Sequence, residues 1–338
     1  MRILMVGFGV VGQSFAELIM NDAKKLDREY GLRPRIVGVV DKNGAALVPD
    51  GIEIPKLLES MRVSGTVKGD GSWEYHERAS AVDVISDTEC EVVIETTPTE
   101  LTKGEPGLSH IKAALGAGRH VVTTNKGPLA VAMPALIELA HHNDVIFKFS
   151  GTVGGGTPVL DFAKKCLEGS RIKSISGILN GTSNYILTKM STEGTSMKDA
   201  LAQAQKLGYA EADPTYDIGG FDTAGKLVIT SNYILGTALS IKDVSITGIT
   251  GVTPEDIQKA ASRGNVIKLI GRVGGGAKVS PEEVPKVHPL NVSGTFNAIL
   301  FETDSAGDIT LVGKGAGGKE TANAVLRDLI EIRRAFAR

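Results

Sequence analysis

A short apolar run, Arg2–Val6 (R-I-L-M-V), leads directly into G-F-G-V-V-G over Gly7–Gly12, and an amphipathic stretch follows from Gln13 to about Tyr30. The order strand, glycine turn, helix confines this part of the chain to a β-α unit. Each glycine has its own reason. Gly7 permits the tight turn, Gly9 lets a diphosphate approach the backbone, and Gly12 lets the helix pack closely on the strand. The amides that open the helix, near Val10 and Val11, then face an anion. The pattern predicts a dinucleotide-binding fold.

The next strand is Arg35–Val40 (R-I-V-G-V-V), ending at Asp41. An acid there binds both adenosine ribose hydroxyls and favours NAD. Lys42 follows and suits a 2′-phosphate, so NADP stays open, and a turn role for Asp41 before Lys42-Asn43-Gly44 is the bland alternative. Two further apolar runs, Glu91–Thr96 and His120–Thr124, alternate with helices predicted over Gly107–Ala117 and Pro128–His142. Their polar ends, Thr96-Thr97-Pro98 and Asn125-Lys126, fall where a parallel sheet presents its ligand-facing edge. The fold class is therefore α/β, a Rossmann-type domain over 1–150. A second, α+β domain over 151–309 carries catalysis and dimerisation, and 310–338 returns to the first.

The chain has 338 residues, 42% of them hydrophobic, which is enough for two separate cores. A formal charge of −2 without a basic block argues against nucleic acid as a partner. The two cysteines, Cys90 and Cys166, have no metal-ligand spacing and read as reduced thiols. No leader precedes the first strand and no apolar run is long enough for a bilayer, so the expected location is cytoplasmic, with no membrane partner.

Further on, Gly208–Lys226 reads G-Y-A-E-A-D-P-T-Y-D-I-G-G-F-D-T-A-G-K. It sets Glu211, Asp213, Asp217 and Asp222 around a loop broken by Pro and Gly that runs into a helix. Asp222 and Lys226 are four apart and share a helix face. The residues after Lys226 (L-V-I-T-S-N-Y-I-L) are apolar on nearly all sides, so that helix is buried and Lys226 enters it partly desolvated and paired. A buried lysine among carboxylates suits a site that binds an ammonium group and moves a proton at a neighbouring oxygen. Upstream, Ile172–Asn180 alternates as a strand and Gly181-Thr182-Ser183-Asn184 opens a helix. That start serves equally for capping or for binding a substrate carboxylate.

These motifs together resemble homoserine dehydrogenase, which interconverts L-homoserine and L-aspartate 4-semialdehyde with NAD(P). The resemblance rests on L-G-Y-A-E-A-D-P, the aspartate before the Gly pair, D-x-x-x-K, G-T-S-N-Y and the T-P and N-K loops, and it spans the whole chain. It implies Lys226 as the group that exchanges a proton with the substrate oxygen, and Lys126 as a second cation near the reaction centre. It implies a small-molecule substrate bound by Glu211, Asp217, Asp222, Gly181, Thr182 and Tyr209. Glu211 and one aspartate would take the ammonium, while Asp222 orients Lys226 or the hydroxyl end. Dinucleotide contacts fall on Gly7, Gly9, Val10, Val11, Gly12, Asp41, Thr96, Thr97, Pro98, Asn125 and Lys126. The family's later G-x-G-A-G run adds Gly315, Ala316 and Gly317.

A backbone-carbonyl cage for a monovalent cation such as Na+ is implied at Val153, Gly155 and Thr157, though this chain has Ser150 where some members have glutamate. An open sheet in the second domain suggests a homodimer. The basic C-terminal helix carries no regulatory appendage, which argues against feedback through an added sensing domain. The rival reading as an aspartate-semialdehyde dehydrogenase needs a nucleophilic cysteine at a domain mouth, and neither Cys90 nor Cys166 sits at one. A non-catalytic dinucleotide sensor would have no reason to keep both lysines and the carboxylates.

Overall fold

The protein is described from a computed structural model covering residues 1–336. The chain divides into two units, Met1–Thr152 with Gly317 onward, and Val153–Ala316.

In the first unit, β1 (Arg2–Val6) meets α1 (Val10–Asn21) across the glycine turn, and α2 (Ala23–Tyr30) follows a break at Asp22. Next come β2 (Arg35–Val40), β3 (Gly44–Leu47), α3 (Ile54–Ser64), β4 (Glu74–Glu77) and α4 (Ala81–Asp87). Then follow β5 (Val92–Glu95), α5 (Gly107–Gly116), β6 (His120–Thr123), α6 (Lys126–His142) and β7 (Phe147–Lys148). The sheet order is β4-β3-β2-β1-β5-β6-β7. Its β2-to-β7 part is parallel, and β3 and β4 add an antiparallel edge. The chain leaves β1 toward β2 on one side and later returns to β5 on the other. The carboxyl ends of β1 and β5 thus open a crevice at the point where the strand order reverses.

Both faces of this sheet are covered. Phe15, Ile19, Leu26 and Leu57 pack on one face and Ile85, Ile111, Leu115 and Leu136 on the other. The C-terminal helix α13 (Gly318–Phe336) joins the first face through Ala322, Val325, Leu329 and Ile332. Asp328 of that helix is fully buried and accepts from the Ser150 amide at 2.9 Å and its hydroxyl at 2.5 Å.

The second unit begins with the turns around Gly154 and Gly155 and a short α7 (Val159–Asp161), continued by a wider turn over Phe162–Cys166. It then forms β8 (Ile172–Ile178), α8 (Gly181–Glu193), α9 (Met197–Lys206), α10 (Thr215–Ile218) and α11 (Phe221–Thr230). After these come β9 (Val244–Ile246), α12 (Pro254–Ser262), β10 (Asn265–Val273), β11 (Ala277–Pro285), β12 (Phe296–Thr303) and β13 (Asp308–Lys314). The six-stranded sheet runs β13-β12-β8-β10-β11-β9, antiparallel except between β11 and β9. Gly271 of β10 lies under Thr223 and Leu227 of α11, which therefore covers one face. On the opposite parity, Arg272, Lys278, Phe296 and Val312 remain exposed. Residues 310–314 belong to the edge strand β13, so the return to the first unit starts at Gly317 rather than at 310.

Candidate active site

The glycine turn behaves as its spacing predicts. Gly7 has φ +93°, and a Cβ there would sit 2.8 Å from the Thr96 carbonyl carbon. A Cβ on Gly12 would lie 3.1 Å from the Gly7 oxygen and 3.2 Å from Phe8, which is the close helix–strand contact. A Cβ on Gly9 would meet open space, leaving room for an approaching ligand. Val10 is 72% exposed at the start of α1 and Val11 is half-buried. Thr96 donates its hydroxyl to the Gly7 carbonyl at 2.8 Å, tying the β5 loop to the glycine turn.

Asp41 is engaged locally. One carboxylate oxygen accepts from the amides of Asn43 (2.7 Å) and Gly44 (3.0 Å), and the other from the Val67 amide (2.9 Å). It holds its turn; a ribose hydroxyl would use the lone pair left on the second oxygen.

Asn125 caps α6, accepting from the Gly127 amide at 3.0 Å, and its side-chain nitrogen reaches Thr97 Oγ1 and the Pro98 carbonyl, both at 3.3 Å. Lys126 is therefore the first residue of α6, two earlier than the proline-marked start, because the cap and not the proline sets the boundary. Its amide donates to Thr99 Oγ1 at 3.4 Å.

In the second unit, Lys226 lies on α11 and is 6% exposed. Its Nζ donates to Asp222 Oδ2 and to the Leu179 carbonyl, each at 2.7 Å. The Gly219-Gly220 pair sets up this geometry, since Gly220 has φ +85° immediately before the helix. Asn180 gathers the acids. Its Nδ2 donates to Asp217 at 2.7 Å and Asp222 at 2.9 Å, while its Oδ1 caps α8 at the Ser183 amide (2.8 Å). Burial, reinforced by the neighbouring Asp222 charge, pushes the Asp217 carboxyl above the ordinary aspartate range, and the Asn180 hydrogen bond and Lys226 oppose that shift.

Asn180 is the residue that sequence reasoning missed. It ends the predicted strand Ile172–Asn180, yet its role depends on residues some forty positions later.

The remaining predicted residues fall as follows. Thr182 is buried and donates to the Tyr209 carbonyl at 2.6 Å; Tyr209 is half-exposed, its ring 5.1 Å from that of Tyr185. Gly181 abuts the Thr295 carbonyl, where a Cβ would lie 2.8 Å away. Glu211 is exposed and forms no side-chain bond with the Lys226 cluster; only its carbonyl is engaged, by Gln205. Asp213 accepts from the Thr215 amide and hydroxyl, which hold its carboxyl below the usual range and make it a turn residue.

Val153 is buried, and the Thr157 carbonyl already accepts from the Val159 amide at 2.8 Å. No cluster of three or more His, Cys, Asp or Glu suited to a metal occurs among the described residues. Gly315 is buried beneath the Asn297 amide, whereas Ala316 and Gly317 are exposed. Burial pushes the Cys90 thiol up to about 11, which removes it as a nucleophile. Among the described residues, no helix is long and apolar enough to cross a membrane.

A glycine turn at the switch point of a parallel sheet, with a buried lysine–carboxylate cluster on a second α+β unit, defines a dinucleotide-dependent oxidoreductase. Two family models cover the chain: the homoserine dehydrogenase NAD-binding domain over residues 7–150 and the homoserine dehydrogenase domain over 158–330. A homoserine dehydrogenase of Methanocaldococcus jannaschii is 45% identical over 336 residues, covering 98% of each chain. An NAD(+)-dependent homoserine dehydrogenase of Pseudomonas canavaninivorans is 39% identical, covering 100% of this chain and 97% of that one. Among solved structures, a putative homoserine dehydrogenase from Archaeoglobus fulgidus superposes with a TM-score of 0.90 at 41% identity, covering 98% and 99% of the two chains. A hyperthermophilic archaeal homoserine dehydrogenase in complex with NADPH gives 0.86 at 29% identity, over 99% and 98%. The chain belongs to the homoserine dehydrogenase family.

Proposed function

We propose that Lys226 is the acid–base group in the NAD(P)-dependent interconversion of L-aspartate 4-semialdehyde and L-homoserine. The observation that carries this is the buried Lys226 held by Asp222 and the Leu179 carbonyl, with Asn180 bridging Asp222 to Asp217. The dinucleotide supplies hydride exchange at the aldehyde carbon. As the carbonyl is reduced, its oxygen gains charge and takes a proton from the Lys226 ammonium; in oxidation the same amine takes the hydroxyl proton back. Asp222 holds Nζ in place for both directions. Asp217 and Glu211 attract the substrate ammonium, and the start of α8 at Gly181 and Thr182 receives its carboxylate. Lys126 remains the candidate for the second cation.

NAD fits Asp41 through its free lone pair, and NADP fits Lys42 beside it. The carbonyls of Val153, Gly155 and Thr157 would supply the donors for a monovalent cation, with Thr157 partly committed to Val159. The exposed residues Arg272, Lys278, Phe296 and Val312 of the second sheet support a homodimer, and two unpaired cysteines support a cytoplasmic location. The test is nicotinamide absorbance with purified protein, L-homoserine and either NAD+ or NADP+. Turnover is expected with at least one of them; none with either, in folded protein and monovalent salt, refutes the reading.

A further inference from the structure

Glu95 ends β5 and is completely buried, although nothing in the proposed reaction uses it. Its carboxylate accepts from three donors in the two dinucleotide-side loops: the Thr97 amide at 3.0 Å, the Thr97 hydroxyl, and the Thr123 hydroxyl at 2.9 Å. The histidine behind it is not its partner in the same sense. His110 Nδ1 stands 3.8 Å from Glu95 Oε1, beyond hydrogen-bond reach, and has no hydrogen-bond partner among the described residues. A carboxylate kept only for an internal ion pair would be drawn onto the imidazole. This one is spent on the loops.

Both hydroxyls donate to this carboxylate, which fixes the direction of their protons. With its proton turned to Glu95, Thr97 Oγ1 has lone pairs left to accept from Asn125 Nδ2 at 3.3 Å. In the same way Thr123 Oγ1 accepts from the Asn125 amide at 3.0 Å. Asn125 is thereby oriented with nitrogen toward Thr97 and Pro98 and oxygen toward the Gly127 amide, which starts α6 at Lys126. Neighbouring backbone makes room for this arrangement. A Cβ on Gly107 would lie 2.5 Å from Asn125 Nδ2, so the first residue of α5 has to be small.

We propose that Glu95 is a positioning residue: as a buried acceptor-only group it sets the hydroxyls of Thr97 and Thr123 and so aims Asn125 and Lys126 at the bound dinucleotide. The inference rests on the dinucleotide-linked reading of this site. Glutamine at position 95 keeps the shape but presents an NH2 group to one hydroxyl. That hydroxyl, Thr123, then turns its proton to the backbone carbonyl of residue 95, 3.1 Å away, and the side-chain bond that sets it reverses direction.

The experiment compares Glu95→Gln, Thr123→Val and Thr123→Ser with wild type. It measures NADH and NADPH binding by fluorescence without amino-acid substrate, then kcat and KM with L-homoserine, and thermal melting for each. Glu95→Gln and Thr123→Val should weaken dinucleotide binding by roughly five- to ten-fold, the worth of one buried hydrogen bond, and lower kcat, with KM for homoserine little changed. Thr123→Ser, which keeps the hydroxyl, should recover most of the loss seen in Thr123→Val.

Dinucleotide affinity and kcat within two-fold of wild type in folded Glu95→Gln would overturn the proposal. So would equal losses in Thr123→Ser and Thr123→Val, or a lowered melting temperature as the sole effect. Because dinucleotide binding is read without homoserine, a wild type that binds NAD(P)H but does not oxidise homoserine fails the substrate reading while still testing Glu95.

Discussion

Two lysines lie buried in the second unit, and they are kept in opposite ways. Lys226, 6% exposed on α11, donates to a carboxylate, Asp222, and to one carbonyl. Lys268, 3% exposed on β10, donates only to neutral acceptors: Asn184 Oδ1 at 2.9 Å, Thr188 Oγ1 at 3.4 Å and the Val292 carbonyl at 2.6 Å. No carboxylate lies within ion-pair distance of it among the described residues, and burial lowers its ammonium to about 8. Burial by itself therefore does not mark a working lysine. What distinguishes Lys226 is a carboxylate partner that Asn180 links to a second acid, Asp217. Lys268 instead pins α8 to the segment around Val292, where Asn184 Nδ2 also bonds the carbonyls of Val292 and Phe296.

The contrast is broken most severely at Lys226 itself. Lys226→Ala should lower kcat by roughly 10²–10⁴-fold, the usual worth of a positioned general acid or base, in steady-state assays with L-homoserine.

Asp222→Asn should come next. It removes the charge facing a buried ammonium and should reduce stability by about 2–3 kcal/mol. That is below the range for a fully buried pair, because the Asp222 side chain keeps 14% exposure. Denaturant unfolding measures it, and kcat should fall in the same variant.

Asp217→Asn sharpens the comparison from the acidic side. The folded-state pKa of Asp217 is raised, so its ionisation costs the native state once pH rises through that value. The variant should melt a few degrees higher than wild type near neutrality. The gain should vanish as pH falls below the ordinary aspartate value, where both states are protonated. Its KM for homoserine should rise, the opposite sign of effect from its stability.

Lys268→Met should have the smallest effect on turnover. Here the folded-state pKa is depressed to about 8, so the unfolded chain holds a proton that the native state has released between there and the ordinary lysine value. Wild-type stability therefore gains a component that rises with pH across that window, and the native ammonium costs stability below it. Unfolding free energies measured from pH 7 to 10 should show a shallower rise in Lys268→Met, with kcat within a few-fold of wild type.

Much of this was legible before the structure. The helical stretch after the glycine turn, the parallel strands and the burial of α11 follow from periodicity and glycine placement, since those signals are local, whereas the break at Asp22 that divides the stretch into α1 and α2 does not. The missing parts are those in which distant segments meet. Strands β3, β4 and β13 are short or at sheet edges, where no continuous apolar run announces them. Strand β7 covers Phe147–Lys148 only, because pairing to β6 is limited to two residues. Asn180 reads from the sequence as the end of a strand, and its hold on both Asp217 and Asp222 exists only after α11 folds against the end of β8. Glu95 looked like an ordinary strand residue for the same reason: its partners are Thr97, in the loop after β5, and Thr123, at the end of β6.

The central claim is that Lys226, and not merely a buried lysine in this unit, transfers the proton. Its most direct test is to place folded Lys226→Ala beside folded Lys268→Met and measure kcat for L-homoserine oxidation together with NAD(P)H affinity. The account predicts a loss of roughly 10²–10⁴-fold in kcat for Lys226→Ala, unchanged dinucleotide affinity in both, and near wild-type kcat for Lys268→Met. Near wild-type kcat in Lys226→Ala, or equal losses in the two variants, would contradict it.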